Sequence, residues 1–287
     1  MTIIELKEKG KKILKNNGFT DNNIIVNVLL CKVLNIDQQF LIVHQNECVV
    51  EDLCNIFLKH IDEIISGKPL QYITNRQEFM GLNFFVDENV LIPQPDTEIL
   101  VEYCYRLCEK MQKNQKKICI LDLCTGSGAI GISLDKLLAK HDNINVYASE
   151  INKDALNVAI KNNKILNANV EFIQSDMFDK IDDSIKFDMV ISNPPYIETE
   201  VIKQLPLDVQ SEPQIALDGG KDGLKFYRII EKEAKKYLKD NGYICMEIGY
   251  NQARSVEQIF NKNYEIIEIL KDYGKQDRCI VVKNRKN

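Results

Sequence analysis

Only three histidines, His44, His60 and His141, occur in the 287 residues, and none of the nine cysteines forms a C-x-x-C pair. Zinc sites draw on thiols and imidazoles at short spacing, and secreted disulfide scaffolds on paired cysteines. Neither a metal centre nor a disulfide framework is therefore expected. Excess positive charge is missing as well: 37 Lys+Arg stand against 42 Asp+Glu, a net charge of −5. Such a balance supplies no overall attraction to a phosphate backbone, so direct nucleic-acid binding is not expected either. No apolar run approaches the ~20 residues of a membrane-spanning helix. The stretch from Met1 to Asn17 is lysine-rich and amphipathic where a secretory leader would carry an apolar core. These absences leave a reduced, cytoplasmic protein without membrane contact. Internal repeats and low-complexity tracts are also lacking, and the length suits one large domain or a large and a small one.

What is present begins with helices. Up to about residue 67, Ile3, Leu6, Ile13 and Leu14 share a face, Gly18 stops the first helix, and Asp21 is placed to cap a second from Ile24 to Leu34. Leu53, Ile56, Phe57, His60, Ile61, Ile64 and Ile65 follow the three-four spacing, with Gly67 and Pro69 to end that helix. His60 falls on this apolar stripe, where a structural role outweighs a ligand role. The period then changes. Phe79, Leu82, Phe84 and Val86, a turn at Asp87-Glu88-Asn89, and Val90 to Ile92 read as a β-hairpin. After Pro93 and Pro95, Asp96 is expected to cap a helix from Thr97 to about Met111, with an exposed connection from Lys110 to Lys117.

From Ile118 onward strands alternate with helices: Ile118–Leu123, helix Ala129–Lys140, Asn145–Glu150, helix Lys153–Leu166, Val170–Gln174, Phe187–Ser192. The series continues with a helix from about Leu224 to Leu238, a strand Tyr243–Ile248, a helix near Gln252–Phe260, and strands Glu265–Leu270 and Cys279–Val282. Alternation of this kind gives an α/β fold with a parallel sheet covered by helices on both faces.

The first of these strands runs into Asp122-Leu123-Cys124-Thr125-Gly126-Ser127-Gly128, a loop whose glycines let the backbone approach a ligand closely. Gly126, Gly128 and Gly131 spell G-x-G-x-x-G, and Glu150 ends the next strand where a ribose-binding acid belongs, so a dinucleotide reading must be weighed. Asp122 tips the balance. An acid just before the glycines suits the amino group and sulfonium of S-adenosylmethionine better than a pyrophosphate. Asp176 is then placed to accept from an adenine amino group, with Met177 beside the ring.

The strand Phe187–Ser192 leads into Asn193-Pro194-Pro195-Tyr196. Each proline lacks an N–H and holds the preceding residue extended, leaving a stiff loop of acceptors. A planar primary amide could donate its two N–H bonds to the Asn193 side-chain oxygen and the Pro194 carbonyl, with the Tyr196 ring over one face. An ordinary strand-ending turn remains the bland alternative for these residues alone.

Taken together, the stretches Pro69-Leu70-Gln71-Tyr72, Gln77-Glu78-Phe79, Leu91 to Glu98, the glycine loop, Asn193 to Tyr196, Glu212-Pro213, Ala216 to Leu224, and Asp272-Tyr273-Gly274 with Asp277-Arg278 are similar to the peptide chain release factor N(5)-glutamine methyltransferases, the HemK/PrmC family. The resemblance covers nearly the whole chain. It implies a seven-stranded Rossmann-like S-adenosylmethionine methyltransferase sheet, with a small N-terminal helical bundle and a linking β-hairpin. Implied cofactor contacts are Cys124, Thr125, Gly126, Ser127, Gly128, Glu150, Asp176, Met177 and Asn193, which join the Asp122 expected from its charge and position. Implied substrate contacts are Asn193, Pro194, Pro195 and Tyr196, with Asn193, Pro194 and Tyr196 as the catalytic set. The implied substrate is the glutamine of the Gly-Gly-Gln motif in class I release factors, recruited by residues 1–75, with 76–95 as the linker and 96–287 as the catalytic domain.

Three residues depart from the family pattern: Cys124 where glycine is common, Gln94 for an arginine between the two prolines, and Asn75 for a glycine after Tyr72. Asparagine tolerates the left-handed backbone that glycine would supply. Gln94 removes a fixed charge near Asp96 and Glu98, leaving neutral hydrogen bonds there. Two other functions fit parts of the pattern. One is an adenine amino-methyltransferase, whose exocyclic amine suits the same acceptor loop, and the other is a cofactor-binding module without turnover.

Overall fold

A computed structural model describes residues 1–113 and 117–285. The chain divides into two compact units, Met1–Arg76 with Pro206–Ser211 and Gln77–Leu205 with Glu212–Asn287. In the first, α1 (Ile3–Asn16) opens with a capping box: the Thr2 hydroxyl accepts from the Glu5 N–H, and the Glu5 carboxylate accepts from the Thr2 N–H. Helix α2 (Asn22–Leu34) follows Asp21, but that side chain makes no capping bond. The Asp21 backbone is turned to ψ 24°, away from the extended form from which a cap reaches the first amides. Asp37 does cap α3 (Gln38–Val43), accepting from the Phe40 N–H at 2.7 Å.

Helix α4 (Glu51–Ile65) buries Cys54, Phe57, Ile61 and Ile64. The buried stripe is narrower than the spacing predicts, since Ile56 is 43% exposed and His60 is half-buried, its Nδ1 2.7 Å from Glu63 Oε2. That contact gives His60 a structural partner. Gly67 ends the turn at φ +96°, and α5 (Leu70–Thr74) runs from Pro69 to Asn75, whose φ of +54° is the left-handed conformation expected there.

The second unit begins with β1 (Gln77–Phe79) and β2 (Leu82–Phe84), joined through Met80 and Gly81 at φ +52° and +72°. Positive φ at both turn residues matches the right-handed twist of the strands. The hairpin is thus tighter than its sequence suggests. Asp87 to Val90 does turn, with the Val90 N–H bonded to the Asp87 carbonyl, but Val90–Ile92 is no strand. The Ile92 N–H donates instead to Glu212 Oε2 at 2.8 Å, so no ladder partner is needed.

Helix α6 (Pro95–Gln112) has Gln94 at its cap position and Pro95 in its first turn. Asp96 lies inside the helix and caps nothing; its carboxylate is 3.3 Å from Arg278 Nη2. Of the Lys110 to Lys117 stretch, the first three residues belong to α6, and 114–116 lie outside the described residues.

Next come β3 (Ile118–Leu123), α7 (Ala129–Leu137), β4 (Ile144–Glu150), α8 (Lys153–Ile165), β5 (Val170–Gln174) and β6 (Phe187–Ser192). Three single-turn helices, α9 (Thr199–Ile202), α10 (Leu207–Gln210) and α11 (Gln214–Leu217), then precede α12 (Lys225–Tyr237). Their length gives no helical period to read. Last are β7 (Leu238–Glu247), α13 (Ala253–Phe260), β8 (Tyr264–Lys271) and β9 (Asp277–Asn284). Strand β7 starts five residues before Tyr243, because α12 passes directly into it.

The seven-stranded sheet has the order β5-β4-β3-β6-β7-β9-β8. Only β9 runs against its neighbours. The crossover through α13 brings β8 back parallel to β7, whereas the short turn after Lys271 can join only an antiparallel partner. Strands β3 and β6 are buried at every position, and their side chains alternate between two cores. Tyr227, Ile230, Val256 and Phe260 of α12 and α13 fill one, and Leu100, Val101, Ile130 and Ile132 of α6 and α7 fill the other. The chain order reverses beside β3, with β4 on one side and β6 on the other. In open α/β sheets such a switch point opens a crevice at the carboxyl ends of the strands.

Candidate active site

A cavity of about 170 Å³ lies at that crevice, and its walls include Cys124, Gly126, Glu150, Asp176, Met177, Asn193 and Pro195. The loop after β3 is shaped by its glycines. A side chain on Gly126 would meet nothing within 4 Å, whereas one on Gly128 would lie 2.7 Å from Ile132 Cδ1. Gly126 therefore leaves room for a ligand, and Gly128 lets α7 start tightly. Cys124 adopts φ +58°, the region glycine favours, which accounts for glycine being common at this position in the family pattern. Its Sγ is 3.6 Å from Met177 Sδ, and burial pushes the thiol up, so it stays protonated.

Asp122 takes a different place from the one expected. It is fully buried, off the cavity wall, and its Oδ2 accepts from the Thr125 hydroxyl at 2.6 Å and the Gly131 N–H at 3.0 Å. The carboxyl braces the glycine loop from behind, and burial pushes its pKa up to about 7. Thr125, Ser127 and Gly128 likewise stand behind the wall. Asn162 of α8 supports the same loop, donating to the Ser127 carbonyl at 2.9 Å while binding both the N–H and the carbonyl of Phe85.

Glu150 does face the cavity. Its oxygens accept from the Gly126 and Asn152 amides at 3.0 Å each, and burial raises its pKa. Asp176 is exposed at the rim, and Met177 is buried beside it at φ +46°.

In the loop after β6, Asn193 and Pro195 reach the cavity, while Pro194 is buried and Tyr196 turns away. The Tyr196 hydroxyl donates to Glu247 Oε1 at 3.1 Å, so the ring is held by its polar end. Asn193 Nδ2 donates to Thr97 Oγ1 at 3.2 Å, and that hydroxyl donates to Glu247 Oε2 at 2.5 Å. Glu247 is almost fully buried, and burial pushes its pKa up to about 6 against the pull of its two hydroxyl donors and Arg278. Arg278 is held by Asp272 at 2.9 Å and by Asp96. Beside Gln94, whose Nε2 donates to the Ile92 carbonyl, the Asp96 charge is thus met by Arg278.

Gln252 closes the loop by donating to the Tyr196 carbonyl at 2.9 Å. Gly219 lies so near that a side chain on it would fall 2.7 Å from Tyr196 Cα. Glu247, Gln252 and Asn162 escape a reading of single motifs, and Thr97 falls in the Leu91 to Glu98 stretch without any mark of its hydroxyl's partner. For Glu247 the available signal is an acid ending the apolar strand Ile244-Cys245-Met246-Glu247.

The sheet order, the glycine loop behind its first strand and the carboxylate ending its second define an S-adenosylmethionine-dependent methyltransferase. Residues 104–207 match the methyltransferase small domain. Among solved structures, a Listeria monocytogenes protein assigned to the class I S-adenosylmethionine-dependent methyltransferases aligns with TM-score 0.51 at 14% identity, over 99% of this chain and 87% of that one. A Pyrococcus furiosus methyltransferase gives 0.51 at 17% over 79% and 99%.

Sequence relatives are nearer. Release factor glutamine methyltransferase of Fusobacterium nucleatum is 40% identical over 98% of this chain and 78% of its own length. That of Clostridium acetobutylicum is 43% identical over 88% of each. Residues 5–74 match the PrmC N-terminal domain. The chain belongs to the release factor glutamine methyltransferase family.

Proposed function

We propose that this protein transfers the methyl group of S-adenosylmethionine to the side-chain amide nitrogen of the glutamine in the Gly-Gly-Gln motif of class I release factors. The observation that carries this is the orientation of Asn193: its amide NH2 is occupied by Thr97, which turns its oxygen away as an acceptor beside the cavity. Such an acceptor suits a substrate that brings N–H bonds. The two carboxylates of the cavity wall, Glu150 and Asp176, are assigned to the cofactor in this reading, so activation of the amide rests on its placement by the acceptor loop.

The residues present fit the cofactor. Open space at Gly126 admits a ligand against the backbone, Glu150 offers a carboxylate to ribose hydroxyls, and Met177 gives an apolar wall with Asp176 at its edge. S-adenosylmethionine supplies an electrophilic methyl group on a sulfonium. An amide nitrogen is a poor nucleophile, because its lone pair is delocalised into the carbonyl. Asn193 and the Pro194 carbonyl would accept its two N–H bonds and stabilise it best as the nitrogen becomes pyramidal, so the contact is stronger in the transition state. The N–CH3 bond forms as the S–CH3 bond breaks, the neutral thioether of S-adenosylhomocysteine is the leaving group, and one of the two N–H protons is lost to solvent once the nitrogen has become cationic.

The first unit, which places none of its described residues on the cavity wall, acts in this reading as the part that recruits the protein substrate. Incubation with labelled S-adenosylmethionine and a release factor, followed by mass spectrometric location of the methyl group, tests the proposal. Label on the Gly-Gly-Gln glutamine supports it. Transfer to duplex DNA or RNA adenine with none to a release factor would favour the adenine alternative, and cofactor binding with no transfer to either would leave a binding module.

A further inference from the structure

We infer that Glu247 is a positioning residue which, through the Thr97 hydroxyl, sets which end of the Asn193 amide faces the substrate. The inference rests on the proposed reaction for its kinetic readout, but its geometry stands apart. Glu247 ends β7, Thr97 lies in the first turn of α6, and Asn193 follows β6. Three separate elements thus bring these groups together, and Glu247 and Thr97 are almost wholly shielded from water.

The argument turns on hydrogen-bond direction. An ionised carboxylate has only acceptors, and a threonine hydroxyl has one proton. At 2.5 Å from Glu247 Oε2, Thr97 must give that proton to the carboxylate, which leaves its lone pairs to face Asn193. Only the NH2 end of the amide can satisfy a lone pair, so Nδ2 points at Thr97 and Oδ1 points the other way. An amide turned over would set two acceptors against each other and waste the oxygen that the substrate needs. The second carboxylate oxygen takes the Tyr196 hydroxyl, so one buried acid fixes both ends of the Asn193-Pro194-Pro195-Tyr196 loop.

The groups facing Glu247 are Tyr196 from the loop, Asp96 from α6, Tyr227 from α12, and Arg278 with Cys279 from β9. Arg278 favours the ionised carboxylate and Asp96 opposes it. Once protonated, Glu247 can donate to Thr97, whose own proton then turns toward Asn193 and welcomes the wrong end of the amide. Methyl transfer should therefore have an acid limb that belongs to Glu247.

The test compares Glu247→Leu, which has no acceptor, Thr97→Val and Thr97→Ser with the unaltered protein, reading kcat, KM for a release factor, cofactor Kd and the pH profile of kcat. Glu247→Leu and Thr97→Val should lower kcat by about ten-fold or more with KM and cofactor Kd within about two-fold, and Glu247→Leu should lack the acid limb. Thr97→Ser, which keeps the hydroxyl, should stay within about two-fold of the unaltered rate. Unaltered kcat in either Glu247→Leu or Thr97→Val, equal losses in Thr97→Ser and Thr97→Val, or cofactor Kd rising as far as kcat falls would overturn the inference. If the unaltered protein methylates no release factor, the proposed reaction fails by itself. The orientation is then read by NMR as hydrogen exchange of the Asn193 side-chain amide, slow in the unaltered protein and fast in Thr97→Val; equal exchange in the two sinks it.

Discussion

Asn193 and Glu150 stand on the same cavity but serve different partners in the proposed reaction, and single substitutions should separate them. In the proposed reaction Asn193 offers its oxygen to the substrate, so Asn193→Ala should reduce methyl transfer far more than cofactor affinity; comparable losses would move Asn193 to the cofactor's side. Glu150 is held by the Gly126 and Asn152 amides with its carboxylate at the cavity wall. Removing a charged acceptor from two hydroxyls costs roughly 1–3 kcal/mol, so Glu150→Ala should weaken cofactor binding by that amount in a titration. An unchanged isotherm would take Glu150 out of the site.

Asp122 carries a prediction of another kind. Its folded pKa of about 7 lies above the ordinary 3.8, so between those values the folded chain binds a proton that the unfolded chain releases. The stability this group contributes is complete below the unfolded value and is lost as pH rises through the folded one. An amide in place of the Asp122 carboxyl would mimic the neutral form and keep an oxygen for Thr125 and Gly131. Denaturation of Asp122→Asn between pH 4 and 8 should therefore show a stability that falls less with pH than the parent's, the difference growing by on the order of 4 kcal/mol. Parallel curves would mean that Asp122 ionises at its ordinary pKa in the fold.

Among the elements, α1 and α4 show how local preference and packing can oppose each other. Glycine inside a helix is normally improved by alanine, by about 1 kcal/mol. At Gly10 an added Cβ would lie 2.7 Å from Phe57 Cζ and 2.9 Å from Cε1, and Phe57 is fully buried. Overpacking of that kind costs about 1–3 kcal/mol. Gly10→Ala should accordingly lower the melting temperature despite the better helix former, and a rise would show that the ring can shift.

The same scale explains which boundaries were readable. Strands β3, β5 and β6 and helices α8, α12 and α13 lie within a residue or so of the expected bounds, because β3 and β6 are apolar runs buried throughout, β5 is a short run paired along β4, and the helices each bury one regular face. The hairpin and the Asp21 and Asp96 caps did not follow the local pattern. Met80 takes a positive φ with no sequence mark, and Asp96 is drawn to Arg278, far along the chain.

For the molecule as a whole, a short Gly-Gly-Gln peptide lacks the remote contacts that offset the entropy of positioning, so an intact release factor should show much the higher kcat/KM with the whole 287-residue chain. Similar values for the two substrates would remove the recruiting role proposed for the first unit. Deleting residues 1–70 is a poorer test than it looks from the sequence. Residues Pro206–Ser211 belong to the first unit, where the Ser211 hydroxyl donates to the Gly67 carbonyl at 3.0 Å and Leu207 packs beneath Gly67. Truncation would strip that segment of its partners.

The alternation of strands and helices, the glycine loop, Glu150 and the Asn193-Pro194-Pro195-Tyr196 loop were legible in the sequence because each rests on local periodicity or on the fixed φ of proline and the freedom of glycine. The placement of Asp122 behind the loop, the turning of Tyr196 toward Glu247, and the chain from Glu247 through Thr97 to Asn193 were decided only by the tertiary structure. Hydrogen bonds between groups 96 and 150 positions apart in the chain exist only after the sheet has assembled and expelled water, and no local pattern encodes which acid will meet which hydroxyl.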